Sequence, residues 1–306
     1  MVTQRASLAK AVVMVPPRAF QFNAETGQDN EFQQRLALDD DALKATVMTE
    51  FQAMSDKLRQ LGVDVIVFDN GRADTPDAVF PNNWFATDKR GHLFIFPMLC
   101  ANRQREVMPE QLSQTLSDSG YDVRQVVDLR DGSHIFEGTG ALIIDHLQNV
   151  GYCALSHRAD RQLLPKVEVA LGLDAIHYFE TCSSSGGAVY HSNVLMSVGP
   201  EYAIVCTEVV LPAHRTALMD KLKDKVVIEI TEAQMQNFCG NVLQIGDKHG
   251  NSHIVMSSSA YSAFRAEQLA QLAQFGEIQH FNVSVIEQVG GGSVRCMLAE
   301  VFLPAA

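Results

Sequence analysis

At 306 residues and 46% hydrophobic content, the chain can bury a large core as one or two domains. A formal net charge of −12, from 24 basic and 36 acidic residues, argues against a nucleic-acid surface, which needs a basic stripe to displace counterions. A charged fraction of 20%, a mean hydropathy of −0.02 and no apolar run approaching the roughly 20 residues of a spanning helix argue against disorder and membrane embedding. The opening MVTQRASLAK, followed by AVVMVPP, has too short an apolar stretch and no cleavage-type site for an export signal, so a cytoplasmic location is expected. The six cysteines (Cys100, Cys153, Cys182, Cys206, Cys239, Cys296) form no C-x-x-C pair, and most are expected as reduced core thiols.

In chain order, one pattern recurs five times. An amphipathic helical stretch leads into a β-branched run, and a polar or Gly-rich loop then opens a further strand. The helical spacing predicts helices near 31–61, 103–119, 158–171, 212–223 and 265–275, with Leu43, Val47, Phe51, Met54 and Leu58 marking one apolar face. Gly62, Gly120, Gly172 and Gly276 stand where C-caps are expected. The strand-like runs that follow are VDVIVFD, YDVRQVVDL, LDAIHYF, DKVVIEI and HFNVSVIE. The loops are AVFPNNWFATD, HIFEGTGALIID, AVYHSNVLMSVG, QNFCGNVLQIGD and GGGSVRCMLAEVF. Anchored on Asn83, Gly140, Asn193, Asn241 and Ser293, they recur at intervals of 57, 53, 48 and 52 residues, the mark of a repeat architecture.

Copies one to four continue into HLFIFP, GYCALS, EYAIVC and SHIVMSS, whereas the fifth stops at Leu303-Pro304 and AVVMVPP stands alone at the start. Closing a ring with that N-terminal strand as the missing piece removes exposed edges. The expectation is therefore a single α/β domain over residues 1–306, a five-bladed propeller with pseudo-fivefold symmetry; an ordinary open α/β sheet is the alternative. In such a ring the five loops meet at one mouth and bring together Asn82, Asn83, Glu137, His191, Cys239 and Cys296. A thiol, an imidazole and a carboxylate in one pocket are the parts of a nucleophile and its acid/base apparatus.

These motifs resemble those of the guanidino-group-modifying superfamily, the pentein fold of arginine deiminases, dimethylarginine dimethylaminohydrolases and glycine amidinotransferases. PDAVFPNNWFA is similar to its D-x-V-F-x-E-D motif, FEGTGALIID with CALSHRAD to its E-x-G-D block and downstream L-S-x-R-T-N segment, VYHSNV to its H-L-x segment, and GGGSVRCMLAE to its C-terminal Gly-rich cysteine motif. The PNNW and EGTG variants most resemble the branch containing citrulline-utilisation hydrolases.

The resemblance implies a covalent mechanism. Cys296 is the expected nucleophile, with Arg295 and His191 near enough to assist and the preceding glycines free to present backbone N–H groups to substrate. Cys239 is the rival thiol. His191 is the expected acid/base, and Glu137 the carboxylate that grips substrate N–H groups and orients the imidazole. The superfamily usually has Asp where this chain has Gly140. Asn82 and Asn83 stand where cation-binding relatives carry Glu-Asp or Arg-Asp, and Asn193 where arginine deiminases have Asp. Amides offer donors and acceptors without charge, which suits a neutral ureido group; turn-capping is their bland alternative. Arg158 matches an arginine that clamps a substrate carboxylate, or is a surface charge at a helix start. Residues 17–29 read as a lid, with Arg18 or Asn23 touching substrate.

The expected activity is hydrolysis at the ureido or guanidino carbon of a small amino-acid substrate, citrulline foremost, giving ornithine, ammonia and carbon dioxide. Arginine deimination, dimethylarginine hydrolysis, amidino transfer and a non-catalytic pentein-fold binding role are the alternatives. No cofactor or metal is expected, because the D-x-H-x-D type of ligand cluster is missing from the sequence. Neither nucleic-acid nor membrane partners are expected, and homo-oligomerisation is left open.

Overall fold

A computed structural model describes residues 8–306. Residues 1–7, the start of the stretch weighed above as an export signal, lie outside the described residues.

The described residues form five three-stranded sheets, each built the same way. The first contains β1 (Ala11–Met14), β2 (Asp64–Val67) and β15 (Ala299–Val301). β3 (Phe85–Thr87), β4 (His92–Ile95) and β5 (Gln125–Asp128) make the second, and β6 (Leu142–Asp145), β7 (Val150–Ala154) and β8 (Ala175–Phe179) the third. The fourth has β9 (Met196–Val198), β10 (Tyr202–Val205) and β11 (Val226–Glu229); the fifth has β12 (Leu243–Gly246), β13 (Ser252–Ser257) and β14 (Glu277–Phe281). In every sheet the middle strand pairs antiparallel with one neighbour and parallel with the other, the parallel partner being reached through a helical crossover. β1 lies between β15 and β2, with Val12 opposite Glu300 on one side and Val65 on the other. The first and last parts of the chain thus share one sheet.

Burial follows this layering. β1 and β10 are buried throughout, whereas the parallel outer strands β2, β5 and β11 are exposed at both ends. β15 packs against β3 and β6 against β9. Thr87 Oγ1 stitches the first of these contacts, donating to Glu300 O at 3.1 Å and accepting from Phe302 N at 2.9 Å.

Several expected elements change, among them the helix near 158–171, which begins at Leu164. The first helix spans Asp40–Leu61, not 31–61, because Asp39 caps it by accepting from Ala42 N; Gly62, at φ 90°, ends it. Residues 31–36 instead end a strap across the mouth, and 37–39 lead into the helix. The stretch 103–119 divides into helices Ala101–Gln104 and Pro109–Asp118, since Pro109 holds Met108 out of the helical region at ψ 69°. HFNVSVIE is only partly strand: β14 ends at Phe281 and Ser284–Gly290 is helix. Its first turn is capped from another unit, for Glu50 accepts from Val285 N and Ile286 N, each at 3.0 Å. Of the glycines, Gly62 and Gly172 are left-handed C-caps and Gly120 also takes a positive φ, but Gly276 does not.

Candidate active site

Each inward loop makes a single tight turn just before its inner strand. Pro81–Asn83 forms a 3-10 turn before β3, and Gly138–Ala141 and Ser192–Leu195 form one-turn helices before β6 and β9. Asn241 closes a turn ahead of β12, and Cys296 lies in the turn between the helix Ser284–Gly290 and β15. Repetition of this turn explains why residues some 50 positions apart share one chamber.

Glu137 and His191 meet there. His191 Nε2 lies 2.8 Å from Glu137 Oε2, and both side chains are buried. Glu137 Oε1 accepts from Leu99 N at 3.0 Å, and Arg158 Nη1 stands 3.4 Å from Oε2. Burial alone would raise the Glu137 carboxyl; the Arg158 charge and the His191 hydrogen bond outweigh it and hold the group well below the ordinary carboxylate range. Burial lowers His191, against the pull of Glu137. At neutral pH the pair is therefore a carboxylate and a neutral imidazole, with Nε2–H directed at Glu137 and Nδ1 left as an acceptor.

Cys296 is buried, and two amides donate to its sulfur, Asn241 Nδ2 at 3.2 Å and Asn193 Nδ2 at 3.4 Å. Both can hold negative charge on a sulfur nucleophile. Asn241 is fixed in turn, donating to Asn193 O at 2.8 Å and accepting from Arg295 N at 3.0 Å. In the sequence Asn241 stands only as a repeat position, and its loop equivalence with Asn83 and Asn193 is the signal that points to it. Arg295 itself points to Leu298 O and Glu300, not to the sulfur. Cys239 is a core thiol: it is buried among apolar side chains, directs its sulfur to Ala260 O at 3.5 Å, and is pushed up to about 12 by burial.

The glycine run serves packing. A Cβ on Gly290 or Gly292 would stand 2.8–2.9 Å from the Phe80 ring, and one on Gly291, at φ +64°, would stand 2.5 Å from Asn30 Nδ2. Gly291 O accepts from Tyr190 Oη at 2.6 Å, and Tyr190 stacks obliquely on His191. The glycines thus let the cysteine loop pack closely on Phe80 and the strap.

Asn82 and Asn83 are buried. Arg103, unnoticed in the sequence, donates through Nη1 to Asn83 Oδ1 at 2.7 Å and is itself paired with buried Glu106 at 2.9 Å. This fixes the Asn83 amide and leaves Nδ2 without a partner among the described residues; Asn193 Oδ1 and both polar atoms of Asn82 are likewise unpartnered. Asp77 is a further buried carboxylate, accepting from Asn23 Nδ2 and Thr26 Oγ1 through one oxygen while the other is unpartnered. The missing superfamily Asp has a steric counterpart, since a Cβ on Gly140 would stand 2.2 Å from Asn83 Nδ2 and 2.9 Å from His191 Nδ1. The asparagine and the glycine are therefore linked choices. Gly140→Ala is expected to lower kcat/KM about 100-fold by displacing Asn83 and His191, while stability falls by only about 1–3 kcal/mol. Steady-state kinetics with a thermal melt separates the two effects.

The strap from Pro16 to Leu36 covers these groups. Thr26, Asn30 and Phe32 are buried; Gln33 Nε2 donates to Gly290 O at 3.1 Å, and Gln34 N to Gln288 O at 2.6 Å. The two strap residues expected to touch substrate have protein partners here. Arg18 is exposed and paired with Asp69, outside the chamber. Asn23 is buried, but its amide is spent on Asp77 and Asn102. Arg158, one of the largest fully buried side chains, is no surface charge: besides Glu137 it binds Asp29 and donates to Thr26 O at 3.2 Å.

A family model described as N,N dimethylarginine dimethylhydrolase, eukaryotic, matches residues 16–303. No curated protein sequence matches significantly. Among solved structures, apo ArgZ, an arginine dihydrolase from the ornithine-ammonia cycle in cyanobacteria, is similar with a TM-score of 0.76 and 14% identity over 97% of this chain and 41% of that one. The chain thus spans about two fifths of that protein. The N-terminal domain of ArgZ, bound to product, gives 0.77 and 14% over 96% of this chain and 99% of that domain. A DDAH mutant from Pseudomonas aeruginosa, complexed with citrulline, gives 0.69 and 14% over 96% and 100%. At such identities the likeness carries the five-bladed fold.

Proposed function

The chain belongs to the N,N dimethylarginine dimethylhydrolase family, within the guanidino-group-modifying pentein superfamily, and from that premise we propose that it is a cysteine hydrolase acting on the ureido group of citrulline. The observation that carries the substrate choice is the pairing state of the asparagines. Asn83 offers a buried, unpartnered N–H donor, held in place by Arg103, and Asn193, beside Cys296, offers an unpartnered carbonyl. A ureido group needs both, one for its oxygen and one for its nitrogen. A guanidinium has no acceptor for the Asn83 donor and would meet the Arg103 charge through that same amide.

Cys296 Sγ attacks the ureido carbon, and its thiol proton passes to His191 Nδ1, with the resulting imidazolium stabilised by Glu137. The Nδ–C bond of citrulline breaks, His191 returns the proton to the departing nitrogen, and ornithine leaves a thiocarbamate on Cys296. His191 then takes a proton from water as the hydroxyl attacks that carbon. The C–S bond breaks, the thiol is restored, and carbamic acid separates into ammonia and carbon dioxide. Ionised Glu137 favours the second reading, a guanidinium substrate such as arginine or dimethylarginine, whose hydrolysis uses the same groups and yields citrulline.

Parallel assays of ammonia release and citrulline formation, with chelator present, distinguish these readings. Ammonia and ornithine from citrulline, with arginine and dimethylarginine at least about 100-fold poorer in kcat/KM, is the expected result. Preferred turnover of either guanidino compound would overturn the substrate choice.

A further inference from the structure

Arg158 carries an occupant. Its guanidinium holds Asp29 in a two-point contact, Nε to Oδ2 at 3.0 Å and Nη2 to Oδ1, while its third nitrogen faces Glu137. Fork-on-carboxylate geometry is what a free amino acid's carboxylate would adopt on an arginine. Asp29 reaches Arg158 from the strap, across 129 residues of sequence, and Thr26 O of the same strap takes another of its N–H groups. On the outer side lies a crevice of about 360 Å³, lined among others by Asp29, Ser156, His157 and Tyr190. On the inner side Cys296, His191 and Glu137 are all buried. Asp29 thus borders that crevice and at the same time holds Arg158, whose third nitrogen faces the buried Glu137.

We propose that Asp29 is a built-in surrogate for the substrate carboxylate: it occupies Arg158 in the free protein, latches the strap over the chamber, and is exchanged for the carboxylate of the incoming amino acid. This rests on the reading of a free amino acid as substrate. The exchange replaces one guanidinium–carboxylate pair by another, so Arg158 is not left buried and unpaired in either state. It also gives the latch selectivity, since a ureido compound without a carboxylate cannot take the place of Asp29. Admission is thereby tied to the amino-acid head, and the ureido group is read separately by the asparagines.

The test compares Cys296→Ala with the double variant Cys296→Ala/Asp29→Asn, which cannot complete turnover. Calorimetry measures binding of citrulline and of 4-aminobutylurea, which keeps the ureido group but lacks the carboxylate; hydrogen exchange follows peptides from residues 18–36 without ligand. Citrulline is expected to bind about tenfold tighter to the double variant, 4-aminobutylurea equally to both, and the strap to exchange faster in the double variant. Unchanged or weakened citrulline binding, equal tightening of both ligands, or unchanged strap exchange each overturns the proposal. Arginine and dimethylarginine are titrated as well, and if they and citrulline bind to neither protein, the substrate reading fails. The latch is then decided by exchange alone, unchanged protection overturning it.

Discussion

Replacing Cys296 by alanine is expected to abolish turnover, with kcat falling on the order of 10⁴-fold or more. The side chain removed is small and lies in a turn whose backbone is held independently. Cys296 N donates to Ser293 O at 2.9 Å, and Ser293 Oγ is tied to Glu287 at 2.6 Å. Stability is therefore expected to fall by no more than about 1–2 kcal/mol, close to a small buried truncation. Asn193 and Asn241 lose a shared acceptor but keep the contact between them. Cys239→Ala is the matched control: its thiol, buried and pushed up to about 12, sits in the apolar core, so the change costs stability and leaves kcat within about threefold. Labelling the protein with a haloacetamide and locating the adduct adds an independent readout. Substantial activity in the Cys296 variant, or loss of activity only in the Cys239 variant, would remove Cys296 from the mechanism.

Glu137→Gln is expected to reduce kcat about 10²–10³-fold. The amide keeps an acceptor for Leu99 N but no longer supplies the negative charge that stabilises an imidazolium at His191. It also takes one of two carboxylates from Arg158, leaving Asp29 as the remaining partner. The stability cost is therefore expected near 2 kcal/mol, below the roughly 3–5 kcal/mol for a buried pair with no second partner. The pH dependence has a definite sign. Glu137 is held below its unfolded value, so its contribution is fully present above the unfolded carboxylate pKa of about 4.3 and is lost as pH falls toward the depressed folded value. The stability gap between native protein and variant should be constant above about pH 5 and narrow on acidification. His191 works in the same direction: its folded pKa is lowered, so the unfolded chain binds more protons below about pH 6.5 and stability declines as pH falls through that range. Denaturant melts from pH 7 to pH 3, read beside kcat, test both; a gap that widens in acid would contradict the charge assignment.

Local pattern and shared chemistry account for much that could be read before folding. The five-fold recurrence of helix, β-branched run and loop is a property of periodicity, and it corresponds to five sheets of one topology. AVVMVPP, without a partner in its own neighbourhood, has its place between β15 and β2. Loop equivalence likewise marked Glu137 and His191, which the fold brings to 2.8 Å.

What the tertiary structure alone decided lies in contacts between units. SVIE has the β-branched composition of a strand, yet it is helical because Glu50, 235 residues away, caps its first N–H groups. Arg103 turns the Asn83 amide, Asn241 reaches Cys296 from the fourth loop, and Asp29 fills Arg158 from the strap. Apart from the loop equivalence of Asn241, no local signal separates these side chains from ordinary surface or turn residues. Periodicity specifies which face of an element is buried, because burial acts on every repeat alike. Partner choice inside the chamber depends on where five loops and a strap converge, and that position exists only once the ring has closed.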